Sequence, residues 1–124
     1  MPAAIQSIIL TPDLDRLAAF YRALLGAEET NRVPPEGPTF FVELRIGEGE
    51  LGLVSNEKVG IGTDQRLLIS VTVEDVDALL DRVERLGGQV LGPPNDMPWG
   101  QRVAHIKDPD GNRVNLSQPL EQAP

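Results

Sequence analysis

Apolar and polar positions recur in an order that the chain runs through twice. Gln6 to Leu10 reads as a strand, and "TPDLDRLAAFYRALLG" follows it. There Leu14, Leu17, Ala18, Tyr21, Leu24 and Leu25 fall at helical spacing, which predicts a helix with one apolar stripe. Thr11 or Asp13 can cap its start, Pro12 is tolerated beside it, and Gly26 suits the left-handed position after the last turn. A short strand is predicted over 27–32, and "VPPEGP" is too rich in proline for regular structure. "TFFVELRIGEGELGLVS" then alternates on both sides of a turn at Gly47 to Glu50. Pairing Gly47 with Glu50 sets Arg45 opposite Gly52 and Glu43 opposite Val54. Phe40, Val42, Leu44, Ile46, Leu51 and Leu53 would then face the helix. Phe41, Glu43, Arg45, Gly52 and Val54 would face away.

After a linker at 56–65, "NEKVGIGTDQ", the order repeats. "LLISVTV" predicts a strand, and "EDVDALLDRVERLGG" a helix with Val76, Leu79, Leu80, Val83 and Leu86 on one stripe. "QVL" is a short strand and "GPPNDMPWG" a loop, and "QRVAHIK" and "RVNLSQ" form a hairpin around "DPDGN". Asp13 falls on Asp75, Leu17 on Leu79 and Leu24 on Leu86, an offset of 62 residues, and a one-residue shift brings Gly52 onto Asn115. The repeats span 4–55 and 66–118 within a single domain, 1–124. The expected fold class is α+β, two βαβββ modules forming a curved mixed sheet around a cleft, with the helices outside.

Composition narrows the chemistry. The chain has 124 residues, enough for one domain, and no cysteine, which removes disulfides, thiolate catalysis and cysteine-bound metals. A formal net charge of −8 disfavours phosphate backbones, so no nucleic-acid partner is expected. No apolar run is long enough for a membrane span, and the start lacks the basic region of a signal peptide, so a cytoplasmic location is expected.

Three blocks carry a resemblance: "LTPDLDRLAAFYRALLG", "VTVEDVDALLDRVERLGG" and "PWGQRVAHIKDPDGNRVNL". Together they resemble the vicinal oxygen chelate superfamily of glyoxalases, extradiol dioxygenases, and fosfomycin- and bleomycin-resistance proteins. The resemblance implies paired βαβββ modules, often in a homodimer with exchanged strands or modules. In metal-using members it implies one ligand on each of four strands, of His, Gln or Glu type. Carried onto this chain, those positions are Gln6, Gly52, Leu68 and Asn115. Glycine and leucine cannot ligate, and two neutral amides hold a divalent ion poorly. The chain thus looks like a small metal-free member, and neither metal nor cofactor is expected.

His105, the only histidine, should share a face with Asn115 if the DPDGN loop takes five residues. Either His105 or Glu43 has the chemistry of a general base, although Glu43 would also suit a simple ion pair with Arg45. Asp108, Asp110 and Asn112 read as turn residues, not metal ligands. Trp99, the only tryptophan, could stack on a planar ligand, with Phe41 as another wall. The expected ligand-binding set is Phe41, Glu43, Arg45, Trp99, His105 and Asn115, with no catalytic residue assigned.

The favoured expectation is a non-enzymatic protein that sequesters a small, aromatic or cationic molecule, as bleomycin-type resistance proteins do. The alternative is a glyoxalase-like lyase or isomerase, or a dioxygenase-related enzyme, with an atypical or absent metal site.

Overall fold

The computed structural model describes residues 6–61 and 67–120. The first residues of both predicted repeats (4–5 and 66) and linker residues 62–65 lie outside the described residues. The fold is α+β, and the chain divides between Ile61 and Gly62 into two compact units.

In the first unit, β1 (Ser7–Thr11) leads into α1 (Leu14–Leu25), followed by β2 (Glu28–Val33), β3 (Phe41–Ile46) and β4 (Gly49–Ser55). The strand order is β1-β4-β3-β2. β1 runs parallel to β4 and the other neighbours are antiparallel, so the sheet is mixed. Asp13 caps α1 by accepting from the Arg16 amide at 3.1 Å, and Gly26 closes it at φ 67°. Leu14, Leu17, Ala18, Phe20, Tyr21 and Leu24 are buried on α1, against Val42, Leu44, Leu51 and Leu53 of the sheet. Phe20 lies outside the predicted stripe, and its ring meets Tyr21 edge-on at 5.3 Å.

The second unit repeats this plan with β5 (Ile69–Thr72), α2 (Val76–Val83), β6 (Gln89–Val90), β7 (Asn95–Met97), β8 (Gln101–Lys107) and β9 (Arg113–Pro119). The strand order is β5-β9-β8-β6, with β5 parallel to β9. Asp75 caps α2 as Asp13 caps α1, and Val76, Val83, Ile106, Val114 and Leu116 form the core. The segment predicted as a proline/glycine loop contains β7, which pairs with β8 beyond the end of β6. α2 stops at Val83, short of the predicted stripe's Leu86, and residues up to Gly88 close it with turn hydrogen bonds.

Two sequence expectations change in the first sheet. Ile46 pairs with Gly49, so the β3–β4 loop is only Gly47 and Glu48. Gly47, at φ 60°, accepts the positive dihedral that so short a loop requires. Glu43 therefore lies opposite Gly52, Phe41 opposite Val54, and Arg45 opposite Glu50. Phe40, assigned to the helix-facing side, precedes the strand and is 56% exposed.

The DPDGN segment is a self-bonded loop, as its composition suggests. Asp108 is buried, and its Oδ1 accepts from the amides of Asp110 at 3.0 Å and Asn112 at 2.9 Å. Its Oδ2 accepts from Asn112 Nδ2 at 3.0 Å, and Gly111 takes φ 85°. In Asp108→Ala those buried donors lose a charged acceptor, so we expect a loss of about 2–4 kcal/mol. An unchanged urea midpoint would show that the backbone alone holds the loop.

Arg32 bonds Glu29 through both carboxylate oxygens, at 3.0 and 2.6 Å. Its hydrogen bonds, followed by its charge and that of Arg22, hold the Glu29 carboxyl below the ordinary glutamate value against a desolvation penalty. The resulting stabilisation is present above the unfolded-state pKa and is lost as pH falls through the lower folded value. Glu29→Gln should therefore flatten the acid limb of a stability–pH curve, and only slightly, because the pair is near the surface.

Candidate functional site

A single helix covers one face of each sheet, and directly paired residues on neighbouring strands share a face. In the first unit the open face carries Ile8 and Leu10 of β1, Gly52 and Val54 of β4, and Phe41, Glu43 and Arg45 of β3. In the second it carries Ser70 of β5, Asn115 of β9 and His105 of β8, which lie in one register row. Glu43 and His105 thus hold the same place in the two repeats, each opposite the position given to a metal ligand.

Glu43 is half-buried. Its Oε2 accepts from Gln6 Nε2 at 3.0 Å, and its backbone carbonyl accepts from Thr30 Oγ1 at 3.3 Å, with Oε1 at the outer limit of the same hydroxyl, 3.5 Å. The expected ion pair with Arg45 does not form: Arg45 binds Glu28 Oε2 at 2.6 Å across the β2–β3 pair. The β2–β3 register sets Glu28 directly opposite Arg45, which draws the guanidinium away from Glu43. Thr30 and Gln6 as neighbours of Glu43 were not foreseen, because their contacts depend on a register shift in β2 and on the residue just ahead of β1.

In the second unit His105 Nδ1 lies 2.6 Å from Asn115 Oδ1. An amide oxygen there accepts a hydrogen bond from Nδ1–H, and in the neutral ring that tautomer has its acceptor at Nε2. This contact agrees with the shared face expected from a five-residue loop. Trp99 is 65% exposed in the turn after β7, and its Nε1 donates to Gln101 Oε1 at 3.0 Å. Arg102 anchors that region through Asp96 at 2.8 Å and Asp77 at 3.1 Å, and these bonds, Asp96 first, hold its guanidinium above its ordinary value. Leu68 is 55% exposed just ahead of β5.

The four positions implied for a metal do not fit one. Leu68 has no donor. A Cβ at Gly52 would stand 3.1 Å from Ile8 Cγ1 and 3.2 Å from Phe41 Cε1, so two apolar side chains already fill the space a ligand would need. Gln6 is engaged with Glu43 and Asn115 with His105. Among the described residues no group of three or more His, Cys, Asp or Glu side chains could hold an ion.

Comparison with known proteins fixes the family. Residues 4–116 match the model of the Glyoxalase/Bleomycin resistance protein/Dioxygenase superfamily. The chain belongs to that superfamily. Lactoylglutathione lyase GLX1 of Arabidopsis thaliana is 31% identical over 121 residues, 86% of this chain and 40% of that protein. "Putative glyoxylase CFP32" of Mycobacterium tuberculosis is 29% identical over 114 residues, 92% of this chain and 43% of that protein. The chain therefore spans about two fifths of the length of these relatives. The hypothetical protein SA1046 from S. aureus superposes with a TM-score of 0.75 at 30% identity, covering 95% of this chain and 98% of that one.

These relatives correct the expectation of a non-enzymatic sequestering protein. A lyase and a glyoxylase match along most of this chain, which favours the lyase or isomerase alternative. Glu43 and His105 stand opposite two of the positions implied for a metal, Gly52 and Asn115. Separately, no helix among the described residues is long and apolar enough to cross a membrane.

Metal analysis of tag-free protein after incubation with Mn, Ni or Zn should find no stoichiometric ion. One tightly held ion per chain would overturn the reading of the donor set.

Proposed function

We propose that the protein is a glyoxalase-like lyase or isomerase that moves a proton on a small carbonyl compound, with Glu43 as the base. The observation that carries this reading is that Glu43 bonds Gln6 and Thr30 while Arg45 turns to Glu28. Glu43 is thus held in place by neutral donors and is not committed to a cation, as a base reaching a substrate on the open face must be.

The step is proton abstraction from the carbon beside a carbonyl. The C–H bond breaks toward a Glu43 oxygen, and its electron pair moves onto the carbonyl oxygen as an enolate. The carbon that lost its proton bears a hydroxyl; as the Glu43 proton goes to the neighbouring carbon, the hydroxyl proton passes to the former carbonyl oxygen, so that the alcohol carbon becomes the new carbonyl and the carboxylate is restored. The amide of Gln6 has a second N–H to offer the oxygen where charge develops. No step passes through a metal, because the ligand positions do not fit one; this also favours the lyase and isomerase side of the family over its oxygenases.

A second reading has one observation in its favour: the short His105–Asn115 contact would orient His105 as the base. A homodimer in the cytoplasm belongs to the proposal. The apolar side chains of Leu67, 84% exposed, and Phe40, 56% exposed, support self-association, which sedimentation can check.

Deuterium uptake at the α-carbon of hydroxy ketones in D₂O, followed by NMR, tests the chemistry. Glu43→Gln should lower the rate roughly 10²–10⁴-fold, while His105→Gln should change it little. The reverse pattern would replace Glu43 by His105. Turnover that vanishes with chelator and returns with a divalent ion would sink both readings.

A further inference from the structure

We infer that Gly52 determines substrate choice: by having no side chain it lets Ile8 and Phe41 close over β4 beside Glu43, forming a seat for an apolar carbonyl compound without negative charge. This inference rests on the assignment of Glu43 as the base.

The backbone does not demand glycine at this position. Gly52 lies inside a regular strand and is absent from the positive-φ glycines. What demands it is space. A Cβ would stand 3.1 Å from Ile8 Cγ1, 3.2 Å from Phe41 Cε1 and 3.6 Å from Gln6 Nε2, and the first two distances require the neighbours to move. The second repeat supplies the contrast. Asn115, the counterpart of Gly52, has Ser70 and His105 as its register partners, a wholly polar row. The first repeat has Ile8 and Glu43 in the same places. One repeat has therefore become apolar around its acid.

The seat continues along the sheet. Ile8 is 50% exposed and Leu10 47%, and Leu10 pairs with Val54, which in turn pairs with Phe41. In a chain of net charge −8, such side chains on an open face are an apolar surface available to a ligand.

Charge selects further. Arg45, the cation on this face, is committed to Glu28 at 2.6 Å and has Glu50 opposite it. Among the described residues of this sheet face a carboxylate-bearing substrate would find no uncommitted cation, and it would meet the charge of Glu43. Its desolvation would go uncompensated. A neutral molecule with an aryl or alkyl body carries no such cost. Thiol conjugates rich in carboxylates are poor candidates for the same reason.

Three probes test this by NMR titration and α-proton exchange: α-hydroxyacetophenone, its ring para-carboxylate, and hydroxyacetone. The neutral aryl probe should bind roughly tenfold or more tighter than either of the others. Gly52→Ala and Phe41→Ala should each weaken it by roughly tenfold, and Glu43→Gln should slow exchange roughly 10²–10⁴-fold while leaving its affinity in place. If Gly52→Ala does not fold, Phe41→Ala decides. Binding with the expected variant effects but without exchange would remove the Glu43 reading and leave the seat standing. Exchange that proceeds equally well on the carboxylate, unchanged affinity in a folded Gly52→Ala, or no binding of the aryl probe would overturn the inference.

Discussion

One helix can cover only one face of a sheet of four or five strands, and the rest of this protein follows from that limit. α1 lies against β3 and β4, and α2 against β8 and β9. Alternation along each strand then sends every second side chain to the uncovered face. The covered positions, Val42, Leu44 and Leu53 in one unit and Ile106, Val114 and Leu116 in the other, are buried completely or nearly so. The open-face positions are not packed against the helix, and polar side chains can stand there. Glu43, Gly52, His105 and Asn115 are all of this kind.

The two repeats show how one scaffold diverges once the core is satisfied. Both begin with a parallel strand pair, cap their helix with an aspartate and finish on a hairpin. Their cores differ in bulk: Phe20 and Tyr21 fill the first, whereas α2 buries only Val76 and Val83 fully. Their open faces differ in polarity, with Ile8 and Phe41 beside Gly52 in one and Ser70 and His105 beside Asn115 in the other. The superfamily is associated with metal-bound chemistry, and here the donor positions have become a gap filled by neighbours, a leucine and two engaged amides. Glu43 and His105, one strand away, are placed by register and not by an ion.

Much of the fold was legible in the sequence. Helical spacing located both helices, Asp13 and Asp75 marked their starts, and the 62-residue offset exposed the repeat. The DPDGN loop read correctly as a turn because its proline, glycine and Asx side chains each act locally. The site was less legible. Face assignments for Phe41, Glu43, Arg45 and Gly52 held, since a register change by two residues preserves which side a residue points to. Neighbour assignments failed for the same residues, since that change moves every partner.

The sequence by itself determined the elements, their apolar faces, the duplication and the family, because periodicity, caps and turn residues act within a few positions of one another. Only the tertiary structure decided which side chains meet. The two-residue loop at Gly47 set Glu43 opposite Gly52, Glu28 drew Arg45 away, and Ile8 and Phe41 closed over the glycine. Those contacts join residues up to 44 positions apart, as between Ile8 and Gly52. A pattern along one strand records the face a side chain takes, and the partner it finds depends on the register of another strand.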